Sequence, residues 1–315
     1  MACGKIVIGM CTFGRVDQLK DALGSLSQII LPDDISVEFV LVDNNPDGFA
    51  KHILDAYRED FKFPCHYFHE EQRGLSYARN AILNEAIRLE ATEIAMFDDD
   101  EIVTQEWLVE LYKAYKQSGS DGVTGTVYRL LSIYAKDFIK RLWKNYKEDV
   151  GLQMPMMSTN NCLFSAWLVN GKKMAIRFDT DFNFSGREDT AFSFDAQLKG
   201  ATFSSAPDAI VIEKFLDERC TFAYAVKRWF EVGVSDVAIA KRYKFGVFKR
   251  TLKEPITMLF HILSIPFVAI YNPQRVACSV LHIVASAGWL CGIFGCRATY
   301  YKHDKSKKYS SKVTK

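Results

Sequence analysis

Four consecutive acidic residues, Asp98, Asp99, Asp100 and Glu101, directly follow the apolar segment 94–97; we call these four residues the acid turn. A short apolar run is typical of a buried strand, so the fold must lead a strand from its interior to a concentrated negative charge. Carboxylates this close repel one another and raise each other's pKa values unless a cation neutralises them. The acid turn is either solvated or a binding site for Mg²⁺ or Mn²⁺, and its position at a strand end favours the cation site.

Strand and helix patterns alternate along the first two hundred or so residues, which is typical of an α/β fold. The segment 134–157 is less regular and rich in Lys, Tyr and Met, and we expect part of it to be a mobile lid or an insertion on the acceptor side. The patterns predict strands at 6–8, 37–42, 65–68, 93–97, 123–130, 162–169 and 201–212, and helices at 15–26, 50–57, 75–89, 106–115 and 190–198.

Beyond Glu213 the composition changes to that of a helical, apolar region. The pattern predicts one or two amphipathic helices at 222–243, followed by apolar runs at 256–271 and 276–296. At about 1.5 Å per residue the second run is about 31 Å long, enough to cross a hydrocarbon core of about 30 Å, whereas the first is about 24 Å long and contains Pro266. Trp, Tyr and Lys residues flank both runs, which favours helices that lie in a membrane interface or re-enter it over a buried hairpin of a soluble protein.

We therefore predict two parts: an α/β domain over 1–215 and a helical, membrane-associated region over 216–315 that ends in a basic tail. The formal net charge of +2 gives no reason to expect a nucleic acid partner. Eight cysteines are scattered without the spacing of a metal site, which is typical of reduced thiols in a protein that faces the cytosol. The N-terminal sequence lacks the basic and apolar segments of a signal peptide, so we expect none.

Polar residues follow three of the predicted strands where each strand ends: Thr12 and Arg15 after the first, Asp43 and Asn44 after the second, and the acid turn after the fourth. Ligands of open α/β sheets bind at the carboxyl ends of the strands. An aspartate there can accept hydrogen bonds from a nucleobase or a ribose, and two metal-bound carboxylates can hold a diphosphate. Neither G-x-x-x-x-G-K-[ST] nor G-x-G-x-x-G occurs, which argues against a P-loop or a dinucleotide site. The pattern predicts a pocket for a nucleoside diphosphate.

Five short motifs, in this order, resemble the family 2 glycosyltransferases of the GT-A fold, and among them the bacterial exopolysaccharide glucosyltransferases of the succinoglycan ExoM type. The resemblance implies a Rossmann-like mixed sheet flanked by helices, and transfer of a sugar from a nucleotide-diphosphate donor. Two positions depart from the family pattern: Gly14, where asparagine is common, and Arg187, where a second glycine is common. The motifs are CTFGR at 11–15, LVDNN at 41–45, RGLSYARN at 73–80, DDD at 98–100 and GRED at 186–189.

Donor-side roles follow from the resemblance. It implies that Asp43 contacts the base, that Thr12 contacts the nucleotide and that Arg79 braces the pocket. In the D-x-D pair, Asp98 faces the ribose or the metal, and Asp100 faces the metal, which is Mn²⁺ or Mg²⁺. The other residues expected at the donor are Arg15, Asn44, Asp99 and Arg219, of which Arg219 steadies the departing diphosphate.

Acceptor-side roles follow in the same way. The resemblance implies that Asp189 is the base that deprotonates the acceptor hydroxyl and that Glu188 orients its loop. The implied reaction is an inverting transfer, with UDP as the nucleotide and a saccharide or lipid-linked saccharide as the acceptor, in the synthesis of a cell-surface polysaccharide. Because nucleotide sugars are made in the cytosol, we expect a peripheral or monotopic protein on the cytoplasmic face of the inner membrane.

Simpler interpretations stay open for four of these residues. Asp43 can cap the turn that follows it, Arg79 can be a surface cation, Asp189 can cap a helix that begins at 190, and Arg219 can be structural. Two other functions also stay open. One is a sugar nucleotidyltransferase, which usually has a glycine-rich loop after its first strand, where this chain has CTFGR. The other is a membrane scaffold that binds nucleotide sugar without turnover, and an intact Asp189 argues against it.

Overall fold

The computed structural model describes residues 4–145, 148–171 and 174–298. Its strands are β1 (Gly4–Thr12), β2 (Ile35–Asp43), β3 (Cys65–His69), β4 (Glu93–Phe97), β5 (Glu101–Val103), β6 (Gly122–Leu131), β7 (Asn161–Ser165) and β8 (Phe203–Phe215). Its α-helices are α1 (Val16–Leu26), α2 (Ala50–Tyr57), α3 (Leu75–Arg88), α4 (Trp107–Ser118), α5 (Asp137–Leu142), α6 (Trp167–Asn170), α7 (Glu188–Leu198), α8 (Phe222–Arg242), α9 (Val247–Tyr271) and α10 (Val276–Ile293). Short 3₁₀ turns lie at Arg58–Asp60, Thr180–Phe182 and Pro273–Arg275.

The strands form one mixed sheet of eight strands in the order β3-β2-β1-β4-β7-β6-β8-β5. Strands β1 to β4 are parallel, so their carboxyl ends reach the same edge of the sheet. The register pairs Thr12 with Asp43, which places the ends of β1 and β2 side by side. Strand β7 runs antiparallel to β4, so Asn161 at the start of β7 lies beside Phe97 at the end of β4. The predicted strand ends therefore meet at one edge.

The acid turn connects the centre of this sheet to a second group of strands. The pairing of β6 with β8 shifts register between Gly125 and Thr126, and both strands then continue as a parallel pair. The short strand β5 pairs with that last part of β8, with Glu101 opposite Glu213. Because β5 follows β4 after only three residues, the carboxylates of the acid turn are held between two sets of paired strands.

Hydrophobic residues cover both faces of the sheet. Side chains alternate between the faces of a strand. Accordingly, Ile6, Ile8 and Met10 of β1 belong to a buried cluster with residues of α1, α2 and α4, whereas Val7 belongs to a cluster with residues of α3 and α7. The predicted α/β fold, a mixed sheet flanked by helices, is confirmed.

The C-terminal helices combine one tight contact with one exposed helix. A Cβ atom at Gly233 of α8 would overlap the carbonyl oxygen of Ala285, and one at Gly288 of α10 would overlap that of Phe230. Glycine at both positions therefore allows the backbones of α8 and α10 to approach closely. Helix α9, by contrast, has no buried residue. By length and composition α9 and α10 could each cross a membrane, a property that core helices of soluble proteins share.

Two predicted boundaries differ near the sheet edge. The strand expected at 162–169 ends at Ser165, because the chain then turns into α6 and the N–H of Asn170 bonds the carbonyl of Ala166 at 3.0 Å. The helix expected at 190–198 begins two residues earlier, at Glu188, and Arg187 occupies its N-cap position with a positive φ of 78°.

Two further segments differ from expectation. The apolar run at 256–271 is only part of α9, which continues through two prolines although proline usually ends or kinks a helix. The described residues of 134–157, which exclude 146 and 147, contain α5 and a contact with β8. There the N–H of Met154 donates to Phe203 O at 2.8 Å, so the second half of this segment is attached to the sheet.

A single buried asparagine connects three elements below the edge. Asn161 is fully buried; its Oδ1 accepts from Trp107 Nε1 at 2.8 Å, and its Nδ2 donates to the carbonyls of Thr126 and Ala209 at 3.0 and 2.8 Å. We predict that Asn161→Ala lowers the free energy of unfolding by about 3 kcal/mol or more, because it removes three hydrogen bonds, two of which are fully buried. Urea unfolding measures the loss. The exposed Asn170→Ala is the control, and an equally small loss in both variants would contradict the prediction.

Candidate active site

A cavity opens at the sheet edge where β1, β2 and β4 end; we call it the edge cavity. Seven of the nine residues predicted to bind the donor or the metal line it, and the exceptions are Asp43 and Arg79. The lining residues are Cys11, Thr12, Phe13, Arg15, Asn44, Arg73, Gly74, Leu75, Ala78, Asp98, Asp99, Asp100, Glu101, Asn160, Phe184, Glu213, Arg219 and Arg228.

Asp99 fastens the acid turn to the first strand. Its Oδ2 accepts from Thr12 Oγ1 at 2.7 Å and its Oδ1 from Arg15 Nη1 at 3.0 Å. Burial raises the pKa of Asp99 to about 6, and the nearby Arg15 charge opposes that rise. Three residues predicted to bind the donor are thus joined to one another, with Asp99 as the one that holds the turn in place.

Arginines from three parts of the chain surround the other two aspartates. Asp98 receives Arg79 Nη2 at 3.3 Å. Asp100 Oδ2 receives Arg15 Nη1 at 2.8 Å and Arg219 Nη2 at 3.4 Å. Asp98 keeps 40% of its side chain exposed, against 16% for Asp100 and 7% for Asp99. Asp98 is therefore the aspartate of the turn with the largest surface available to a ligand.

The fourth carboxylate of the turn has a structural role. Glu101 is buried; its Oε2 accepts from the backbone N–H of Asp98 at 3.1 Å and its Oε1 from Asn160 Nδ2 at 2.9 Å. Burial, reinforced by the charges of Asp98 and Asp100, raises the pKa of Glu101 well above its ordinary value. Glu101 therefore shapes the backbone of the turn and ties it to the start of β7.

The acid turn fits a divalent cation whose coordination the substrate completes. Among the described residues no group of three or more His, Cys, Asp or Glu side chains could hold a metal alone. Mg²⁺ does not need such a group, because it commonly takes one or two carboxylates and substrate phosphates. Asp98 and Asp100 offer two carboxylates that line the edge cavity. Oxygen is also the donor atom that Mg²⁺ and Mn²⁺ prefer.

A second cavity adjoins the first and contains the predicted base; we call it the α7 cavity. Asp98, Asn160 and Arg228 line both cavities, so the two meet at the acid turn. Most of the lining is polar. It comprises Arg79, Asp98, Ser158, Thr159, Asn160, Ser185, Gly186, Arg187, Glu188, Asp189, Arg228, Val232 and Ser235.

Asp189 lies in the first turn of α7, facing this cavity. Its Oδ1 accepts from the N–H of Thr190 at 2.7 Å. The first turn of a helix is a favourable position for a negatively charged side chain. Since Arg187 occupies the N-cap position, the alternative that Asp189 caps a helix beginning at 190 is wrong.

Glu188 and Arg79 form a buried ion pair between α7 and α3. Arg79 Nη1 contacts Glu188 Oε1, and both side chains are 5% exposed. Arg79 is therefore not a surface cation. Burial raises the pKa of Glu188 to about 7, while the charge of Arg79 opposes the rise. Because Arg79 also contacts Asp98, this pair joins the loop of the predicted base to the acid turn.

Asp43 lies outside both cavities. It is fully buried; Oδ1 accepts from the N–H of Asn45 at 2.9 Å, and Oδ2 accepts from the N–H of Ala50 at 2.8 Å and from Tyr67 at 3.2 Å. The structure thus favours the turn-capping alternative, and a contact of Asp43 with the base stays a prediction. The neighbouring Asn44 lines the edge cavity and holds the following loop, accepting from the N–H of Gly74 at 2.7 Å.

Several lining residues were not predicted from the sequence. Phe13 and Arg73 lie in motifs that were recognised, and the Arg73 guanidinium stacks over the Phe13 ring at 5.0 Å. Asn160 precedes β7, and its place at the edge follows only from the antiparallel pairing of β7 with β4. Glu213, Phe184 and Arg228 reach the site through contacts between distant segments, for which no local pattern exists.

Residues 7–172, more than half of the chain, match the family model described as Glycosyl transferase family 2. The chain is also 25% identical over 296 residues to the succinoglycan biosynthesis protein ExoM of Rhizobium meliloti (strain 1021), a match that covers 92% of this chain and 93% of that protein. The resemblance predicted from the motifs is confirmed.

Solved structures share the fold. S. aureus TarS 1–349 in complex with UDP-GlcNAc aligns with a TM-score of 0.51 at 15% identity, over 95% of this chain and 94% of that one. Its complex with UDP gives 0.51 at 14% identity over 93% and 92%. Against a longer TarS chain the TM-score is 0.50 at 16% identity, and the match spans 39% of that chain. The family match, the fold and the paired cavities lead to one conclusion: the chain belongs to the family 2 glycosyltransferases, and it is a glycosyltransferase that uses a nucleotide-sugar donor.

Proposed function

We propose that this enzyme transfers a sugar from a UDP-linked donor, with inversion, to a saccharide or lipid-linked saccharide at the cytoplasmic face of the inner membrane, in the synthesis of a cell-surface polysaccharide. The observation that carries the proposal is the junction of the two cavities at Asp98. A donor held in the edge cavity would end at this junction, beside the carboxylate of Asp189. The UDP complexes of TarS and the name of ExoM support the choice of donor and pathway class.

Donor binding is assigned to the edge cavity. Thr12 and Asn44 offer polar atoms near the strand ends, and the stacked pair of Arg73 and Phe13 offers a flat surface to a nucleobase. Arg219 lies where a diphosphate would meet the acid turn, and its positive charge would stabilise the departing nucleotide.

Asp98 and Asp100 would hold Mn²⁺ or Mg²⁺ together with the diphosphate oxygens. Such an ion offsets the negative charge that develops on a leaving phosphate. Since Arg15 and Arg219 pair with Asp100, these residues would turn from the carboxylate toward the diphosphate when the donor binds.

Asp189 would be the catalytic base on the acceptor side. The acceptor hydroxyl oxygen attacks the anomeric carbon, the bond from that carbon to the diphosphate oxygen breaks, and the hydroxyl proton passes to the Asp189 carboxylate. A direct displacement inverts the configuration, so an α-linked donor gives a β-linked product. Glu188 would orient this loop through its ion pair with Arg79.

The membrane assignment depends on the surface of α9. Large apolar side chains project from this helix, and none of its residues is buried. Contiguous exposed apolar surface of this kind is typical of a protein or membrane contact. Basic residues Lys249, Arg250 and Lys253 precede the apolar part, as in helices that lie in the interface of an anionic leaflet. The predicted basic tail lies largely outside the described residues. The division at 215/216 stays a prediction.

Removal of divalent cations should abolish transfer. We expect chelation to stop UDP release from a UDP-sugar donor and Mn²⁺ or Mg²⁺ to restore it, because two carboxylates repel a diphosphate unless a cation lies between them. Asp100→Ala should lose both turnover and metal-dependent binding of UDP, measured by calorimetry. The exposed Asp33→Asn is the matched control. Full turnover in excess chelator would overturn the metal assignment.

Loss of the predicted base should slow chemistry without weakening the donor complex. Asp189→Asn keeps the shape and removes the proton acceptor, so we expect turnover to fall by about 10²–10⁴-fold while the Kd for UDP stays nearly unchanged. The exposed Asp181→Asn should behave like the parent enzyme. A proportional loss of UDP affinity would instead assign Asp189 to the donor site.

The configuration of the product tests the same mechanism separately. The coupling constant of the anomeric proton, measured by NMR on product made from an α-linked donor, should indicate a β linkage. Retention of configuration would refute direct displacement and leave the fold assignment intact.

Apolar residues of α9 should mediate membrane binding. We expect the full-length protein to float with anionic vesicles, and Phe260→Ser with Phe267→Ser to weaken binding by at least about tenfold, since both rings are about two-thirds exposed. Leu198→Ser, at an apolar position of α7 that is about three-quarters exposed, should have no effect. Protein that stays soluble without detergent and ignores vesicles would contradict the assignment.

A further inference from the structure

The turn that presents Asp189 contains an unusual backbone conformation. Arg187 has a φ of 78°, directly after Gly186, whose φ is 74°. A residue other than glycine adopts this left-handed region at an energetic cost, and it stays there only when its surroundings hold it. The contacts of Arg187 therefore bear on the geometry of the two acids that follow it.

Helix α8 holds this turn at two points. Arg187 Nη2 lies 2.5 Å from Asp236 Oδ1. One residue earlier on α8, Ser235 Oγ donates to the carbonyl of Ser185 at 2.9 Å. Arg187 and the residue before the bend, Ser185, are thus attached to two successive residues of one helix.

The second oxygen of Asp236 extends the connection to the C-terminal helices. Oδ2 accepts from Arg250 Nη2 of α9 at 3.2 Å. Arg250 Nε pairs with Glu254 at 2.9 Å, and Glu254 Oε2 accepts from Ser286 Oγ of α10 at 2.5 Å. The Arg250 guanidinium also stacks 4.0 Å from the centre of the Trp289 ring, a fully buried residue of α10. A continuous polar path therefore runs from the catalytic turn through α8 and α9 to α10.

We propose that Asp236 is a positioning residue: by sharing its carboxylate between Arg187 and Arg250, it fixes the turn that presents Asp189 in a geometry set by the C-terminal helices. The proposal rests on the assignment of Asp189 as the base. It makes α9 and α10 part of the catalytic apparatus as well as a membrane contact. An isolated surface ion pair contributes little to stability. Asp236, however, is three-quarters buried and belongs to a network of hydrogen bonds and ion pairs whose members depend on one another.

Two measurements on the full-length protein test the proposal. The first is hydrogen–deuterium exchange of the backbone amides of residues 186–190. The second is the steady-state rate of UDP release from UDP-glucose or UDP-GlcNAc, whichever donor the parent enzyme turns over, with water as the acceptor. Asp236→Asn and Arg250→Met should each speed exchange in the turn and lower kcat by about tenfold, with the donor KM within about twofold. Lys241→Met, at an exposed position of α8 to which no role is assigned, should change neither.

Substitutions at position 187 separate positioning from general stability. Arg187→Ala removes the ion pair and keeps a side chain that disfavours a positive φ, so it should lower kcat at least as much as Asp236→Asn. Arg187→Gly also removes the ion pair but adopts this conformation freely, so it should lose less. In the Arg187→Gly background, Asp236→Asn should lower kcat little further, because the ion pair between residues 187 and 236 is already absent. A structural role for Asp236 alone would give the same additional loss in both backgrounds.

Three outcomes would overturn the proposal. The first is unchanged amide exchange of residues 186–190 in Asp236→Asn. The second is a change in amide exchange in Arg250→Met that is confined to α9 and α10. The third is an equal loss of kcat in Arg187→Ala and Arg187→Gly. If Asp236→Asn fails to fold, Arg250→Met, at a partly exposed residue that lines neither cavity, still decides whether the helices and the turn are coupled. The exchange measurement does not depend on which residue is the base. A failure of the Asp189 assignment would therefore appear in the turnover of Asp189→Asn and leave the exchange result standing.

Discussion

The site depends on the neutralisation of the acid turn by three arginines. Arg15 comes from the start of α1, Arg79 from α3 and Arg219 from the segment after β8, and each contacts at least one aspartate of the turn. Without them, consecutive carboxylates at the end of a buried strand would repel one another and resist ionisation. The same contacts hold three separate elements against the sheet edge. The three arginines therefore both balance the charge of the acid turn and shape the edge cavity.

This balance also constrains how ligands enter. A divalent cation alone would compete with arginines for the carboxylates, whereas a diphosphate alone would meet the negative charge of the turn. Bound together they would bring opposite charges, and the arginines would gain new anionic partners in place of those they release. On the proposal that Asp98 and Asp100 hold the cation, the donor would supply the remaining oxygen ligands.

Local patterns predicted the parts of the site that lie at the ends of neighbouring strands. Parallel strands bring their carboxyl ends to one edge, so the sequence alone was enough to group Thr12, Asn44 and the acid turn. The direction of a side chain could not be predicted in this way. Thr12 and Asp43 are register partners, yet Thr12 lines the cavity and Asp43 faces its own loop. Pairs such as Arg79 and Glu188, which are 109 residues apart, depend on tertiary packing and have no local signal.

The predicted division of the chain at 215/216 is likewise crossed by contacts that have no local signal in the sequence. A boundary at 215/216 follows the end of β8 and keeps the whole sheet in one part. Residues from both sides of this boundary line the α7 cavity, because Arg228, Val232 and Ser235 of α8 lie there together with Asp189. The same helix packs against α10 through Gly233, so the surface that lines the α7 cavity and the surface that packs against α10 belong to one element. If α9 contacts a membrane and the acceptor is lipid-linked, as we propose, the acceptor would meet a site whose wall is continuous with that membrane contact, and no flexible linker between anchoring and catalysis would be needed.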